Sequence, residues 1–467
     1  MSDKVLTLAS LFTGAGGMDL GFYMAEGFRF LLANDVLPAP ALTYSKNFNH
    51  SIVCVGEISN IFNGPVYLVG DIAEIDFEGI KKPVDVLIGG PPCQDFSVVR
   101  GPAQERRGIE VRRGRLYAHF IRALIHLQPK VFVFENVPGL KSANKGLAYR
   151  TILEDFSSLN LRWREIRELV GNGNTCTPED YNIVFSEIVD SSRLGVPQKR
   201  RRLIIIGVRK DLFESNIMKY HTLKDRVVEL LKGVKCSFAT YPLTPLEVFE
   251  GKPLPDLKNE YRKVMEEYKE LAEHTNFKEL KKWVENTWSS LSLDVVEDYL
   301  RINNVTEYKF KFADKAFEEH EVLLKKLGYY GRNVERSEFA DGSNRNAREA
   351  EKVLERMKMI PPDQNCEFVR GTEWEVEGRG LSLIYRRLHP LKPSYTVVAY
   401  GGGGTWGYHY RIDRARLTNR ERARLQTFPD FYSFEGTTAE VRAQIGEAVP
   451  PILGEKIAEA VKLLISV

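Results

Sequence analysis

The amino-acid sequence predicts an α/β protein built on a doubly wound sheet, together with a second, smaller domain. Through about the first 210 residues, short apolar runs alternate with stretches in which apolar residues recur at helical spacing. Glycine-rich or acidic segments follow several of these runs directly, as tight loops follow buried strands. Ligands of such sheets bind beyond the carboxyl ends of the strands. We therefore expect the chemistry of this protein at one edge of the sheet.

The individual elements follow from the same periodicities. Strands, or the ends of strands, are predicted at 5–11, 30–35, up to 70–72, at 84–88, 131–137 and 203–208. Helices are predicted from about residue 18, over 116–127, from about 147, and over 452–465. Helical periodicity and alternating charge also dominate residues 256–328.

The composition is typical of a soluble globular protein. The chain has 467 residues, enough for two domains, of which 43% are hydrophobic and 28% charged. It contains no 18-residue apolar run and no signal peptide, so we expect a cytoplasmic protein without a membrane partner. The five cysteines are an odd number without a CxxC spacing, which argues against disulfides and a zinc site. We expect reduced thiols and no metal.

The distribution of charge is more informative than the net charge of +3. Residues 100–115 contain six arginines and two acidic residues, and residues 199–210 contain six basic residues and no acidic one. Residues 386–424 are similarly basic. Such clusters are typical of a surface that binds phosphates. A solvated charged face is the alternative, and for any single cluster the sequence favours neither.

A glycine-rich turn follows the first strand. Its sequence is Phe12-Thr13-Gly14-Ala15-Gly16-Gly17, and glycines there let a ligand lie against bare backbone and a helix N-terminus. Alone, such a turn more often serves a nucleotide or is simply a bend. Asp35 ends the next strand about twenty residues later, where a carboxylate can bind ribose hydroxyls. This spacing favours a ligand that resembles a dinucleotide.

The functional prediction depends most on the stretch Gly89-Gly90-Pro91-Pro92-Cys93-Gln94-Asp95-Phe96-Ser97, which follows an apolar run. Glycine permits close approach of the backbone and proline fixes φ, so we expect Cys93 on a stiff turn at a strand end. An isolated free cysteine is more often an inert core residue. This long motif, however, resembles the nucleophile motif of the DNA cytosine-5 methyltransferases.

Glu135 is the candidate acid. It lies near the end of the predicted strand 131–137, directly after four large apolar residues. Partial desolvation there would raise the pKa of its carboxyl group and favour a form that donates a proton. A lone glutamate at a strand end is more often a solvated cap. Glu135-Asn136-Val137 nevertheless matches the ENV motif of the same family, which implies that Glu135 engages N3 of the target cytosine.

A basic segment precedes the last strand of this half. Alternation along an extended chain places Gln198, Arg200 and Arg202 on one side, facing one pocket. A phosphate-binding basic run is the alternative. The segment matches the QxRxR motif of the family, whose arginines orient the acid and contact the base and backbone.

The resemblance covers residues 5–208 and 386–465 in the order of the family, and it implies a Rossmann-like methyltransferase sheet that binds S-adenosyl-L-methionine. The implied catalytic residues are Cys93, Glu135, Arg200 and Arg202. The implied cofactor-binding residues are Phe12, Gly14, Gly16, Asp35, Asp71, Ile72, Pro92, Leu116, Glu447 and Val449. The implied DNA-binding residues are Gln94, Ser97, Arg106, Arg107, Gln198 and Thr396. Asp35 stands where the family usually has glutamate, and Glu447 where it commonly has asparagine.

The same resemblance divides the chain into three parts. Residues 1–211 are expected to form the first part of the catalytic domain, residues 212–412 a target-recognition domain, and residues 413–467 a segment that returns to the catalytic domain. The helix near the C-terminus should therefore pack beside the helix near the N-terminus. Candidate base-contacting residues of the insert are of suitable types, but none is preferred: Arg332, Asn333, Arg336, Asn344 and Arg345.

The function that the resemblance implies is methyl transfer to C5 of a flipped-out cytosine in a specific double-stranded DNA sequence, through a covalent adduct between Cys93 and C6. A role in restriction-modification, with a cognate endonuclease as partner, and association with the nucleoid are expected by analogy. Two alternatives stay open at this point. One is an RNA cytosine-5 methyltransferase, and the other is an inactive DNA-binding relative.

Overall fold

The structure is a computed structural model. It describes eleven stretches of the chain: residues 5–56, 65–80, 82–92, 115–163, 178–213, 217–232, 242–285, 309–346, 349–376, 384–399 and 407–465.

Ten strands lie in these stretches. They are β1 (Leu6–Leu11), β2 (Phe28–Asp35), β3 (Ser51–Cys54), β4 (Val66–Val69), β5 (Val86–Gly89), β6 (Val131–Asn136), β7 (Tyr181–Asp190), β8 (Gln198–Lys199), β9 (Arg201–Arg209) and β10 (Ser394–Tyr395). The strands predicted from the sequence are confirmed with shifts of one to three residues at their ends. Three strands were not predicted. β3 and β10 are too short to give a pattern, and in β7 a register shift between Ile183 and Phe185 interrupts the alternation.

Thirteen α-helices lie in the same stretches. They are α1 (Gly17–Met24), α2 (Pro38–Phe48), α3 (Arg115–Leu127), α4 (Leu147–Ser157), α5 (Ile217–Lys232), α6 (Pro245–Glu250), α7 (Lys258–His274), α8 (Lys278–Trp283), α9 (Lys309–Lys326), α10 (Glu351–Met359), α11 (Asn419–Leu425), α12 (Thr438–Glu447) and α13 (Pro451–Ile465).

The chain forms two compact units, each of them discontinuous in sequence. The first comprises Met1–Asp190, Arg201–Val234 and Pro451–Val467, and the second comprises Ser191–Arg200 and Lys235–Pro450. The return to the first unit thus begins at Pro451, whereas the sequence places it at residue 413. Buried ion pairs within the second unit explain why α11 belongs there: Arg424 of α11 pairs with Asp430, and Arg420 pairs with Asp341.

The first unit contains an eight-stranded sheet in the order β3-β4-β2-β1-β5-β6-β9-β7. The pairs from β3 to β6 are parallel, and β9 runs antiparallel to both of its neighbours. From β1 the chain builds outward through β2 on one side and through β5 on the other. The predicted doubly wound sheet is therefore confirmed, and its switch point lies between β1 and β5, where a ligand crevice is expected.

Helices α1 and α13 pack against each other in the first unit, which confirms the predicted return of the C-terminal helix. Two glycines permit the close approach. A Cβ placed on Gly454 would lie 2.7 Å from the carbonyl oxygen of Met18, and one placed on Gly21 would collide with the backbone of Gly454 and Glu455. A side chain at either position would push the two helices apart.

The main apolar core of this unit joins the sheet to α3 and α4. Phe120 of α3, Phe132 of β6 and Phe156 of α4 are fully buried and meet edge-to-face or tilted, with ring centroids 4.4–6.2 Å apart. Aromatic contacts of this kind add to the burial of apolar area. The core therefore gives the strand ends a rigid support.

Buried arginines with several hydrogen bonds connect segments of the second unit. Arg424 forms two hydrogen bonds to the carboxylate of Asp430, and its Nη1 donates to the carbonyl oxygens of Val248 and Arg332. Arg420 bonds to Asp341 and to Ser343. A buried guanidinium group needs several acceptors, and here the acceptors come from segments that are distant in sequence. Each arginine therefore joins these segments of the unit.

Two further observations concern the part of the chain that the structure describes. No helix there is both long and apolar enough to cross a membrane. Cys54 is exposed and Cys366 is buried, and both are free thiols.

Candidate active site

The strand ends that carry the predicted motifs lie side by side. In the sheet register, Leu11 at the end of β1 pairs with Asn34 of β2 and with Gly89 of β5. Gly89 in turn pairs with Phe134 of β6. The glycine-rich turn, the Gly90-Pro91-Pro92 turn and Glu135 consequently leave the same edge of the sheet next to one another. This is the edge at which the switch point lies.

The glycine-rich turn adopts a left-handed backbone. Phe12, Gly14 and Gly16 have φ values of +55°, +54° and +75°. At Gly16 no other residue fits, because a Cβ would lie 2.7 Å from the ring of Tyr44. A Cβ on Gly14 would meet no heavy atom within 4 Å, so the backbone of this residue borders open space.

Gly14 is held through both of its backbone polar groups. Its N–H donates to Oδ2 of Asp35 at 2.9 Å, and its carbonyl oxygen accepts a bond from the hydroxyl of Tyr67 at 2.9 Å. Oδ1 of Asp35 accepts from the N–H of Leu37. Burial raises the pKa of Asp35, which these bonds partly offset. Asp35 therefore anchors the turn, in addition to its expected role at the ribose.

A second, buried network lies beneath the same turn, and the sequence interpretation missed it. The carboxylate of Asp19 on α1 accepts bonds from the hydroxyls of Ser10 and Tyr44, each at 3.0 Å, and Thr13 donates to Ser10. Burial raises the pKa of Asp19 to about 7. An acidic residue in the first turn of a helix usually indicates a solvated cap, so no sequence signal pointed to this role.

The turn after β4 contributes two predicted cofactor residues. Asp71 accepts a bond from the N–H of Ala73 and begins a short 3₁₀ turn, and Ile72 is buried. Arg122 of α3 donates to the carbonyl oxygens of Ile72 and Ile75 at 2.6 and 2.9 Å. Leu116, also on α3, packs against the apolar core. Arg122 thus holds this turn against α3, a contact that the sequence did not indicate.

Glu135 and Arg202 form an ion pair at the neighbouring strand end. Nε of Arg202 lies 2.9 Å from Oε1 of Glu135, and the two side chains are 15% and 14% exposed. Burial lowers the pKa of Arg202, and the charge of Glu135 opposes this shift. Oε2, the other carboxylate oxygen of Glu135, lies against the proline turn: a Cβ placed on Gly90 would be 2.8 Å from it. The structure thus brings together the acid and one of its two predicted arginine partners.

Five predicted site residues lie outside the described part of the chain. Of the cysteine motif, the structure describes the residues up to Pro92, which is exposed. Cys93 and four candidate DNA-binding residues come after it: Gln94, Ser97, Arg106 and Arg107. Their roles stay predictions.

The model of the C-5 cytosine-specific DNA methylase family matches residues 6–463 of the chain, which is nearly its whole length. The chain belongs to this family. It is 54% identical over 454 residues to the DNA (cytosine-5-)-methyltransferase M.ApeKI of Aeropyrum pernix, with 97% of each chain covered. It is 32% identical to the type II methyltransferase M.BbvI of Brevibacillus brevis, with 97% of this chain and 89% of the relative covered. The resemblance inferred from the motifs, and the assignment as a DNA cytosine-5 methyltransferase, are confirmed.

A solved structure supports the fold of this DNA methylase. It is described as a DNA modification methyltransferase encoded within a prophage of E. coli, and it matches with a TM-score of 0.56 and 22% identity. The match covers 99% of this chain and 100% of that one. At this level of identity, the likeness concerns the fold alone.

The second unit of the methylase places Gln198 and Arg200 inside the protein. Gln198 donates to the carbonyl oxygen of Leu425 and to Oε1 of Gln426, and its own Oε1 accepts from the N–H of Val397. Arg200 is 1% exposed. Its guanidinium donates to the carbonyl oxygens of Val397, Gly446 and Glu447 at 3.0, 2.9 and 3.1 Å. In this conformation Gln198 offers no exposed atom to DNA, and the partners of Arg200 favour a structural role.

The remaining predicted residues of the second unit are Thr396, Glu447 and Val449, and they differ in exposure. The hydroxyl of Thr396 donates to the carbonyl oxygen of Lys199, and Thr396 is partly exposed. Glu447 is exposed at the end of α12, and Val449 is buried two residues later. Their contacts with DNA and cofactor stay predictions.

Three of the five candidate base-contacting residues are engaged in local bonds, among them Arg332, whose Nη2 donates to the carbonyl oxygen of Glu338 at 3.3 Å. Asn333 donates to Glu250 and accepts from the N–H groups of Glu335 and Arg336, and Asn344 donates to the carbonyl oxygen of Ser337. These asparagines shape their own loop. The side chains of Arg336 and Arg345 are exposed.

Proposed function

We propose that this methyltransferase transfers the methyl group of S-adenosyl-L-methionine to C5 of a cytosine flipped out of a specific double-stranded DNA sequence. The observation that supports the proposal most is the Glu135–Arg202 pair, which stands beside the Gly90-Pro91-Pro92 turn at the switch point of the sheet. The motif places its nucleophile, Cys93, directly after that turn. An acid oriented by an arginine next to a cysteine is the set that addition to a pyrimidine requires.

The residues at the β1, β2 and β4 ends fit the proposed cofactor. The space over Gly14 leaves room for a ligand against bare backbone. Asp35 and Asp71 stand at neighbouring strand ends, where carboxylates can accept bonds from ribose hydroxyls. When bound, S-adenosyl-L-methionine supplies an electrophilic methyl group. Phe12, Gly16, Ile72, Pro92 and Leu116 are proposed to complete its site in the first unit.

The cytosine must leave the stack, because the faces of C5 and C6 are covered in duplex DNA. The Cys93 thiolate then forms a bond to C6, and the displaced electron pair moves through the ring to N3. Glu135, held by Arg202, donates a proton or a hydrogen bond at N3 and so stabilises this charge.

The adduct turns C5 into a nucleophile. With S-adenosyl-L-methionine held against Gly14 and by Asp35 and Asp71, C5 would receive the methyl group that this cofactor supplies, and the cofactor sulfur would keep the electron pair of the bond that breaks. A base then removes the proton from C5, the C5–C6 double bond forms again, and the Cys93 thiolate departs. No group is oxidised or reduced in this sequence, and the enzyme returns to its starting state.

The second unit is proposed to recognise the target sequence, with Thr396 close to the DNA backbone. Because relatives such as M.BbvI are named type II methyltransferases, we also propose a role in restriction-modification with an endonuclease that cleaves the same site. Mapping of methylated cytosines, after expression in a host without this methylation, would identify that site. Methyl transfer to RNA of the same sequence, but not to duplex DNA, would contradict the proposal.

The mechanism is tested by trapping. Wild-type enzyme with duplex DNA that contains 5-fluorocytosine at the target is expected to form a covalent complex, because fluorine cannot leave C5 as the proton does. Cys93→Ser should form none and should still bind DNA. Glu135→Gln should lower kcat by about 10²–10³-fold with the KM for cofactor nearly unchanged. A Cys93→Ser enzyme that methylates normally would contradict the mechanism.

A further inference from the structure

A buried asparagine joins the end of β6 to the proline turn. Asn136 is 5% exposed. Its Nδ2 donates to the carbonyl oxygen of Pro91 at 3.1 Å, and its Oδ1 accepts from the N–H of Val137 at 2.9 Å. Because an N–H needs an acceptor, the bond to Val137 determines which half of the amide faces Pro91. Both halves of the amide are therefore engaged.

The proline turn offers few groups by which the protein can hold it. Pro91 and Pro92 have no N–H, so neither can donate a backbone hydrogen bond. Carbonyl oxygens remain as acceptors, and a donor must come from elsewhere in the structure. Asn136 provides such a donor, and it does so from a side chain that is itself buried and oriented.

The sheet register places this contact next to the acid. Gly89, the last residue of β5, pairs with Phe134 of β6, so the turn that follows Gly89 begins beside Glu135. Gly90 lies against the carboxylate of Glu135, and Pro91 is bonded to Asn136. Two consecutive residues of β6 thus contact two consecutive residues of the turn. The spacing between the acid and the start of the nucleophile motif is determined at these two contacts.

We propose that Asn136 is a positioning residue, which holds the Pro91 carbonyl and thereby places the nucleophile relative to Glu135. The inference rests on the proposed function, in which Cys93 follows two residues after Pro91. Displacement of a reacting group by about 1 Å can cost on the order of 100-fold in rate. Loss of the contact should therefore slow attack on C6 without weakening the binding of cofactor or DNA.

The test compares Asn136→Leu with wild-type enzyme in two assays. Leucine has the same number of side-chain heavy atoms and the same branching at Cγ, but it cannot donate a hydrogen bond. One assay is the single-turnover rate of covalent complex formation with 5-fluorocytosine DNA at saturating cofactor, and the other is steady-state methylation. We expect both rates to fall by the same factor of about 10–100, with both KM values within about threefold of wild type.

Asn419→Leu is the matched control. Asn419 is also a buried asparagine, and its Nδ2 donates to the carbonyl oxygen of Thr438 at 3.0 Å, but it lies in the second unit. This variant should lose comparable thermal stability and keep a rate of complex formation within about twofold of wild type. Asn136→Asp, which keeps the shape of the side chain and replaces the donor by an oxygen, is expected to behave as Asn136→Leu does.

The possible outcomes separate the two proposals. If folded Asn136→Leu or Asn136→Asp forms the complex at the wild-type rate, or if Asn419→Leu slows it equally, Asn136 does not position the nucleophile. If Asn136→Leu does not fold, the rates of complex formation and of methylation measured for Asn136→Asp test the proposal instead. If the wild-type enzyme itself forms no complex and methylates no cytosine, the proposed function fails instead.

Discussion

Arg200 and Arg202 are two residues apart, but their guanidinium groups have different partners, so replacing each by methionine distinguishes a structural arginine from a catalytic one. Arg200 donates to three backbone carbonyl oxygens within the second unit. Arg202 pairs with the carboxylate of Glu135 within the first. Methionine retains much of the arginine stem and removes the charge and the donors.

The expected loss of stability in Arg200→Met follows from these three bonds. A hydrogen bond from a charged donor contributes about 1.5–3 kcal/mol, and two of the three bonds share one nitrogen, so they count as fewer than three. Burial of a guanidinium carries a desolvation cost that methionine avoids. We therefore expect a loss of about 3 kcal/mol in the free energy of unfolding of the second unit. For a unit of about 230 residues this lowers its Tm by about 10 °C.

Calorimetry of both variants and methylation assays well below their transitions check this reasoning. Arg200→Met should unfold earlier and stay active at low temperature. Arg202→Met should lose about 10²–10³-fold in kcat, because the acid then lacks its oriented donor. An Arg200→Met enzyme that unfolds with the wild type and is nevertheless inactive would refute the structural interpretation and would restore Arg200 to the catalytic set.

Three further predictions concern the first unit. Gly90→Ala should lower kcat about tenfold or more, because the new Cβ would press on the carboxylate of Glu135. The control is Gly79→Ala, which should leave kcat unchanged because its Cβ would meet the flexible side chain of Asp76 at the surface. Equal kcat values for the two variants would contradict the prediction. Tyr67→Phe removes the hydrogen bond to the Gly14 carbonyl oxygen, which contributes about 1 kcal/mol. The KM for cofactor should therefore rise about fivefold at unchanged kcat. An unchanged KM would contradict this prediction. Burial raises the pKa of Asp19 from 3.8 to about 7. Between pH 3.8 and pH 7 the folded protein therefore keeps a proton on Asp19 that the unfolded chain has lost. The contribution of Asp19 to the free energy of unfolding consequently falls as the pH rises. Thermal unfolding between pH 5 and pH 7 should accordingly depend less on pH in Asp19→Asn, and an unaltered dependence would rule out this assignment.

The sequence determined the fold class and the location of the site for a local reason. Apolar runs, glycine turns and proline turns have short periods, so β1, β5 and β6 and the loops that follow them could be predicted from adjacent residues. Parallel strands end at a common edge, and the motifs of the first unit therefore had to meet there. The family followed from the length of the Cys93 motif and from the order of the motifs that come after it.

The tertiary structure alone decided which polar groups meet. Gln198, Arg200 and Arg202 alternate along one extended segment, but the alternation cannot show that Arg200 binds the carbonyl oxygens of Gly446 and Glu447, about 246 residues away in the chain. The roles of Asp19 and Asn136 likewise depend on partners from other elements. A buried polar side chain takes its role from whichever donors and acceptors the folded chain brings within about 3 Å, and local sequence patterns carry no record of those distant partners.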